Sequence, residues 1–365
     1  MSSALVALRR AFLRFAEIDA PPRSPLYAAL CRGIADDTDA LALAALAPPG
    51  QPAPNLLLAA VHDLLLRGVA HPLRAFYPNL VPDPAPPESA YPAFRAFLSG
   101  HRDEIAALLR ARLVQTAQVR RCTALLPAFA LVHARAGSLP LALIEVGASA
   151  GLNLLIDRYA YRYDDGARTV VVGNPAARLT LSCELRGAWP PLPVVPPPIA
   201  FRIGLDLRPI DPRDLEATRW LRALIWPDEA GRARDLEAAL AIAANDPPPL
   251  IAGDALATLP AALACAPRDA ALLIYHSHTL NQFAPAAREQ LDTLLQEASQ
   301  ARPLWRVAME FAGPFDPEPS LTLFTYEDGE HHDEPLGTCE AHGAWLAWNG
   351  PAHPASAERP MQEAS

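Results

Sequence analysis

The segment LIEVGASAGLNLLIDRY, residues 143–159, gathers the residues best placed to do chemistry in this chain. An apolar run enters a turn of small residues and an apolar stretch follows, which predicts a buried strand, a tight turn and a helix. Gly147 and Gly151 would let backbone approach a ligand closely, and a helix N-terminus there would favour negative charge or a carboxylate. Two chemistries fit. In one, the turn cradles the amino-acid part of S-adenosylmethionine, with Glu145, Gly147, Ser149, Gly151 and Asn153 as its contacts. In the other, Gly147 to Gly151 is a G-x-S-x-G elbow whose Ser149 attacks an ester. Asp254 and then His276 or His278 would complete that triad in the chain order Ser, Asp, His.

The second group is His276-Ser277-His278-Thr279, at the end of the apolar run AALLIYHSH. Alternate residues on a strand share a face, so His276 and His278 would point together. A neutral imidazole there could take a proton from an attacking hydroxyl or amine. A metal would need a third ligand from elsewhere, and no metal site is expected. Among the arginines before the apolar runs (Arg110, Arg112, Arg120 and Arg121), Arg121 is the best candidate for an anionic substrate group, with Arg112 second. Phe76, Tyr77, Tyr159 and Tyr161 are aromatic candidates for a pocket wall, and Tyr159 is taken as a substrate contact. His331-His332-Asp333-Glu334 has ligand-like composition but reads as a solvated hairpin turn.

These residues need a scaffold, and the chain supplies it in two parts. Residues 1–137 read as helical: Leu5, Leu8, Phe12 and Phe15 recur at helical spacing, and Ser24-Pro25 is a helix start. This part is expected to act as a lid over the site. From 138 to 350 short apolar runs alternate with helical stretches: LALIEVG, AFRIGLDL, PLIAGDAL, AALLIYHSH and PLWRVAMEFAG. That alternation implies a mostly parallel α/β sheet covered on both faces, with ligands at the carboxyl ends of its strands. SLTLFTYEDGE and GAWLAW predict an antiparallel hairpin at one edge of the sheet. Residues 163–199 read as a β-hairpin insertion with a proline-rich return, and 351–365 as a tail.

Composition narrows the class. The 365 residues carry 31 basic and 40 acidic side chains, a net charge of −9, and every basic residue is arginine. An acidic chain is a poor general nucleic-acid binder, because phosphates need a basic field. No apolar run reaches the ~18 residues of a membrane-spanning helix, and the N-terminus lacks a signal peptide's apolar stretch and cleavage site. Five scattered cysteines without a C-x-x-C pair suit reduced thiols in a cytoplasm. A small-molecule substrate is expected, and the oligomeric state is left open.

The flanks favour the first chemistry. An ester-hydrolase elbow follows several strands and an HGGG-type segment, neither of which precedes residue 143. Glu145-x-Gly147-x-Ser149-x-Gly151 instead resembles the first motif of class I methyltransferases, with Ser149 where a glycine is commoner. RIGLDLRP resembles their second strand, whose terminal acid holds the ribose hydroxyls; Asp206 stands there, and a two-acceptor carboxylate suits a vicinal diol. AGDAL resembles the third strand, which would put Asp254 beside the adenine amino group. Asp211-Pro212 reads as the cap of the next helix. Asp206 follows Gly151 by 55 residues, where about twenty is usual for dinucleotide-type sites.

More widely, the chain resembles an uncharacterised bacterial domain family assigned to the methyltransferase-like superfamily, through HPLRAFYPNL, QTAQVRRCTALLPA, EVGASAGLNLLIDRY, GLDLRPID, WPD and GDA. In the second segment the family pattern has Asn then Glu after Gln-Thr. Ala117 and Gln118 stand there instead, which excludes a carboxylate role, while Arg121 is retained. The resemblance implies a Rossmann-like class I methyltransferase-type sheet with a helical N-terminal region, S-adenosylmethionine as cofactor and methyl transfer to a small or medium-sized molecule. The competing expectations are the serine hydrolase and a non-catalytic ligand-binding protein of the same fold.

Overall fold

The computed structural model describes residues 3–313 and 316–351. The chain divides into two compact units, Met1–Thr116 with Arg213–Glu237, and Ala117–Pro212 with Ala238–Ser365. The boundary read at 137 therefore lies some twenty residues late, and one later segment returns to the helical unit. The tail, but for Pro351, falls outside the described residues.

The helical unit contains α1 (Ser3–Arg14), α2 (Pro25–Ala35), α3 (Thr38–Ala44), α4 (Ala53–Leu66), α5 (Tyr91–Gly100) and α6 (Arg102–Ala111). Ser24 caps α2 as its sequence suggests: the side chain accepts from the Tyr27 N–H at 3.1 Å, with Pro25 in the first turn. α4 is buried almost all round, as a helix at the centre of a bundle must be. Its two buried polar residues, His62 and Asp63, are both satisfied. Asp63 receives Arg67 and Arg219, each guanidinium donating at 2.9 Å. His62 donates from Nδ1 to the Ala223 carbonyl at 3.1 Å and accepts Asn79 Nδ2 at 2.8 Å. Burial keeps that ring neutral, with its pKa lowered to about 4. Tyr77 is fully buried and Phe76 packs against this same core, so both are core residues. Arg112 pairs with Glu216 within this unit and lies 5.8 Å from the Trp220 ring.

The second unit begins with α7 (Cys122–Arg135), which the sequence assigns to the helical part. Its helical pattern is genuine, but eleven of its residues are buried, and they pack in the sheet unit. Phe129 meets Tyr275 edge-on at 5.0 Å, and the Tyr163 hydroxyl donates to the Thr123 carbonyl.

The sheet runs β1 (Leu141–Val146), β2 (Ala160–Asp164), β3 (Thr169–Val172), β4 (Thr180–Gly187), β5 (Ile199–Asp206), β6 (Leu250–Ala252), β7 (Ala271–Ser277), β8 (Leu304–Glu310), β9 (Ser320–Glu327), β10 (Glu330–Cys339) and β11 (Trp345–Trp348) in chain order. In space the order is β3-β2-β4-β11-β10-β9-β8-β7-β1-β5-β6. The five strands β6-β5-β1-β7-β8 are parallel throughout. The first crossover goes from β1 to β5 on one side, and the chain later returns to β7 on the other, so the topological switch point lies between β1 and β7. Residues Leu272, Ile274, Ala142 and Ile144 face α10 (Ala255–Cys265) and α11 (Pro285–Ser299) in one buried cluster. The alternate residue Tyr275 faces α7 on the opposite side, so the parallel core is covered on both faces.

Three expectations are corrected. SLTLFTYEDGE and GAWLAW do not pair with each other: β10 lies between β9 and β11, and β11 then takes β4 in parallel, so these strands are inside the sheet and not at its edge. The 163–199 segment is more than a hairpin: β2, β3 and β4 extend the sheet beyond β11, removing the edge that β11 would otherwise expose. Asp211 does not cap a helix. α8 (Leu215–Ala223), in the helical unit, is capped by Asp214, whose carboxylate reaches the N–H groups of Glu216 and Ala217.

Candidate functional site

β1 ends in Glu145-Val146, and the turn leaves it through Gly147 at φ +78°. Any side chain at Gly147 would strike Thr279, and one at Gly151 (φ +67°) would strike Pro248. The close approaches that demand these glycines are made by the protein itself. Ser149 also has a left-handed backbone, φ +53°. Its N–H donates to Asp206 Oδ2 at 2.8 Å, while Asp206 Oδ1 accepts the N–H of Arg208 at 2.8 Å. The turn after β1 and the acid that ends β5 are thus tied together.

The helix expected after the turn is instead a 3-10 segment, Leu152–Arg158, kinked at Leu155. Arg202 explains why it stops short of an α-helix: its guanidinium takes the Leu154 carbonyl at 2.8 Å and Asp157 through two bonds at 2.7 and 2.8 Å. The segment that follows the turn therefore presents no α-helix N-terminus to it. Asn153 lies in this segment and bridges inward, donating to Glu145 Oε1 at 3.1 Å and accepting the Cys122 thiol at 3.3 Å. The Tyr159 hydroxyl donates to the Leu152 carbonyl at 2.8 Å and its ring is buried. Tyr159 is a core residue, not a pocket wall, and Tyr161 is anchored likewise on the Ile156 carbonyl.

Glu145 is the electrostatic anomaly of the site. It is 2% exposed, and its Oε2 has no hydrogen-bond partner. Burial pushes its pKa up to about 8, opposed by Asn153, the neighbouring Tyr275 hydroxyl and the more distant Arg121, and reinforced by the Asp206 charge. Ser149 Oγ is likewise buried without a partner. Ser149 shares the strained backbone of a nucleophile elbow, but no histidine is hydrogen-bonded to it. Asp254 caps α10, accepting from Leu256 and Ala257, and is exposed.

The histidines part company. β7 ends at Ser277 and His278 turns into a left-handed backbone at φ +53°, so strand alternation stops before it. His276 is buried and donates from Nδ1 to Glu310 Oε1 at 2.8 Å, at the end of β8. That oxygen also accepts the N–H groups of Thr279 at 2.8 Å and Leu280 at 3.1 Å. These donors hold the Glu310 pKa below the ordinary value against the effect of burial. His278 lies edge-on to Phe311 at 5.0 Å. Burial and the Arg121 charge lower its pKa to about 3. Arg121 itself donates to Ser277 O and Oγ at 3.2 and 3.3 Å and to Ala341 O at 3.1 Å.

Residues 9–348 match the family described as "Uncharacterized protein conserved in bacteria (DUF2332)". The chain belongs to this family. No curated protein and no solved structure matches it. The family match spans both compact units, so the helical unit and the sheet unit are parts of one family architecture.

Glu310 is the site residue that sequence reasoning missed; Ser277 and Thr279 are named there only as members of the histidine group, without a role of their own. Glu310 closes an apolar run in the same way as Glu145 and Asp206, so its signal was present. His331 and His332 lie not in the turn, which is Asp328-Gly329, but exposed at the start of β10, where His331 stacks on Tyr326 at 5.4 Å. All five cysteines are free thiols, four of them buried. Among the described residues no group of three or more His, Cys, Asp or Glu is placed to hold a metal, and no helix is long and apolar enough to cross a membrane.

Proposed function

We propose that this protein binds S-adenosylmethionine at the carboxyl ends of β1, β5 and β7 and transfers its methyl group to a small or medium-sized acceptor. The observation that carries the reading is the 2.8 Å bond from the Ser149 N–H to Asp206. It joins a glycine turn and an acid on adjacent parallel strands, beside the switch point where such sheets bind nucleosides. The 55 residues between Gly151 and Asp206 do not keep the turn and the acid apart, which supports the reading.

The residues suit the cofactor. Asp206 is a carboxylate at the end of β5, and two acceptor oxygens are the chemistry that a vicinal diol such as a ribose takes. The Glu145 carboxyl, buried near the Tyr275 hydroxyl and protonated near neutrality, would ionise against a cation such as the amino group of the methionine part. When bound, the sulfonium supplies an electrophilic methyl group. The chain contributes position: held in line with a nucleophile, reactants gain much of the rate from orientation alone.

Calorimetric titration with S-adenosylhomocysteine, on the parent and on Asp206→Ala, tests this. Micromolar binding that collapses in the variant is expected. An interaction no stronger than about 4 kcal/mol, a Kd near millimolar, removes the proposal.

A further inference from the structure

We propose that His276, and not His278, is the base that takes the acceptor's proton, and that Glu310 is the residue that positions it. The inference rests on the methyl-transfer reading only for the kind of acceptor; the dyad itself stands on its own geometry. Glu310 Oε1 collects three donors, the Thr279 and Leu280 N–H groups and His276 Nδ1. An ionised carboxylate has no proton to give, so His276 must carry its hydrogen on Nδ1. Its Nε2 then presents a bare lone pair, and that atom is buried without a hydrogen-bond partner. A buried nitrogen left unpaired calls for an explanation in function; His278 Nε2 is buried and unpartnered too, so the bond to Glu310 is what distinguishes His276.

The two histidines differ in what awaits the proton they would gain. An imidazolium at His276 forms against a carboxylate 2.8 Å away. One at His278 forms under the repulsion of Arg121, with the pKa already lowered to about 3. Of the two, His276 is the one with a carboxylate hydrogen-bonded to its Nδ1. The location also fits. His276 sits in register with Val146 on β1 and Ala308 on β8, and Thr279, fastened by Glu310, is the residue whose side chain packs against Gly147. One carboxylate therefore sets both the tautomer of the base and the wall of the glycine turn.

In the step itself, the acceptor's O–H or N–H proton passes to His276 Nε2, and the electron pair of that bond stays on the acceptor's oxygen or nitrogen. The imidazolium later returns the proton to water. Glu310 gains no proton at any stage; it orients and stabilises, as a carboxylate behind a catalytic histidine does.

Two readouts on the full chain test this without a known acceptor: ring-15N spectra of labelled histidine, and mass-spectrometric mapping of acylation by diethyl pyrocarbonate, an electrophile that unprotonated imidazole nitrogen attacks. For the parent, a single His276 tautomer with Nε2 bare is expected, together with acylation of the fully buried His276 through local opening, without denaturation of the protein. Glu310→Ala should lose the single tautomer, and Glu310→Gln should restore it, since the amide oxygen still accepts Nδ1–H while the charge is gone. A parent carrying its hydrogen on Nε2, or a His276 acylated only after denaturation, overturns the proposal. S-Adenosylhomocysteine titration of the same preparation separates the two readings. Absent binding with a reactive, single-tautomer His276 removes the cofactor and leaves the base. Intact binding with a protected His276 removes the base and leaves the cofactor.

Discussion

The Ser149 N–H and Asp206 Oδ2 meet at 2.8 Å although 57 residues separate them along the chain. The intervening segment spends that length on the 3-10 turn and on β2, β3 and β4, which leave for the far side of the sheet and return at β5. Loop closure grows only slowly with length, so the detour costs little and the two strand ends still register side by side: Val146 with Leu205, Glu145 with Gly204.

Asp206→Ala should therefore act on the fold as well as on any ligand. It deprives the Ser149 and Arg208 N–H groups of a charged acceptor, each such bond being worth about 1.5–3 kcal/mol when buried. The carboxylate is only half-buried, so a loss of about 2–3 kcal/mol is expected for the pair. Urea unfolding measures it. A variant as stable as the parent would show that the turn is held by other contacts.

How much of this was legible depends on range. Apolar runs closed by a polar residue are local patterns, and they located β1, β5, β6, β7 and β8 together with Glu145, Asp206 and His276. The same pattern in RVAMEFAG marks Glu310, whose partner His276 lies 34 residues away and is invisible to a local reading. The β4–β11 pairing joins residues about 160 apart, and nothing near either strand announces it. Residues 213–237 carry ordinary amphipathic helices, so their return to the helical unit has no local mark. The 3-10 segment was hidden for another reason: LNLLIDRY has helical composition, and Arg202 overrides it from a strand that comes later.

Gly147 is expected to tolerate no side chain. Gly147→Ala combines a left-handed backbone, costing about 1–2 kcal/mol, with a collision against Thr279 of the ~1–3 kcal/mol overpacking kind. Pairing it with Thr279→Ala removes the atoms that collide and leaves the backbone strain. The double variant should thus recover roughly half of the loss, as measured by denaturant midpoints in a double-mutant cycle. Strict additivity of the two changes would mean that the glycine serves its dihedral alone.

The Arg202–Asp157 pair offers a test of the 3-10 segment. Side chains 16% and 21% exposed place it between surface pairs and buried ones. Asp157→Ala should cost about 1–3 kcal/mol, above the ~1 kcal/mol ceiling of exposed pairs and below the ~3–5 kcal/mol of fully buried ones. Because Arg202 also holds the Leu154 carbonyl, amide exchange should accelerate across 152–158 and not in β7. Faster exchange throughout the sheet would instead assign the pair to the global core.

Glu145 makes the stability of the protein depend on pH in an unusual direction. An unfolded glutamate titrates near 4.5, and burial raises Glu145 to about 8 in the folded chain. Between those values the folded state holds a proton that the unfolded state has released, so each step up in pH favours unfolding. The penalty is absent below about pH 4.5, grows through neutrality and is complete above about 8. Glu145→Gln carries no such proton, and its amide oxygen can still accept Asn153 Nδ2. The stability of Glu145→Gln relative to the parent should accordingly climb from pH 5 to pH 8 and then level off, read as urea midpoints at half-unit intervals. Parallel curves would place the Glu145 proton elsewhere. The same carboxyl predicts the calorimetry. A ligand bearing an ammonium that meets Oε2 forces Glu145 to ionise, so binding at pH 7 should release close to one proton. That release appears as a dependence of the binding heat on the ionisation enthalpy of the buffer, and it should vanish in Glu145→Gln.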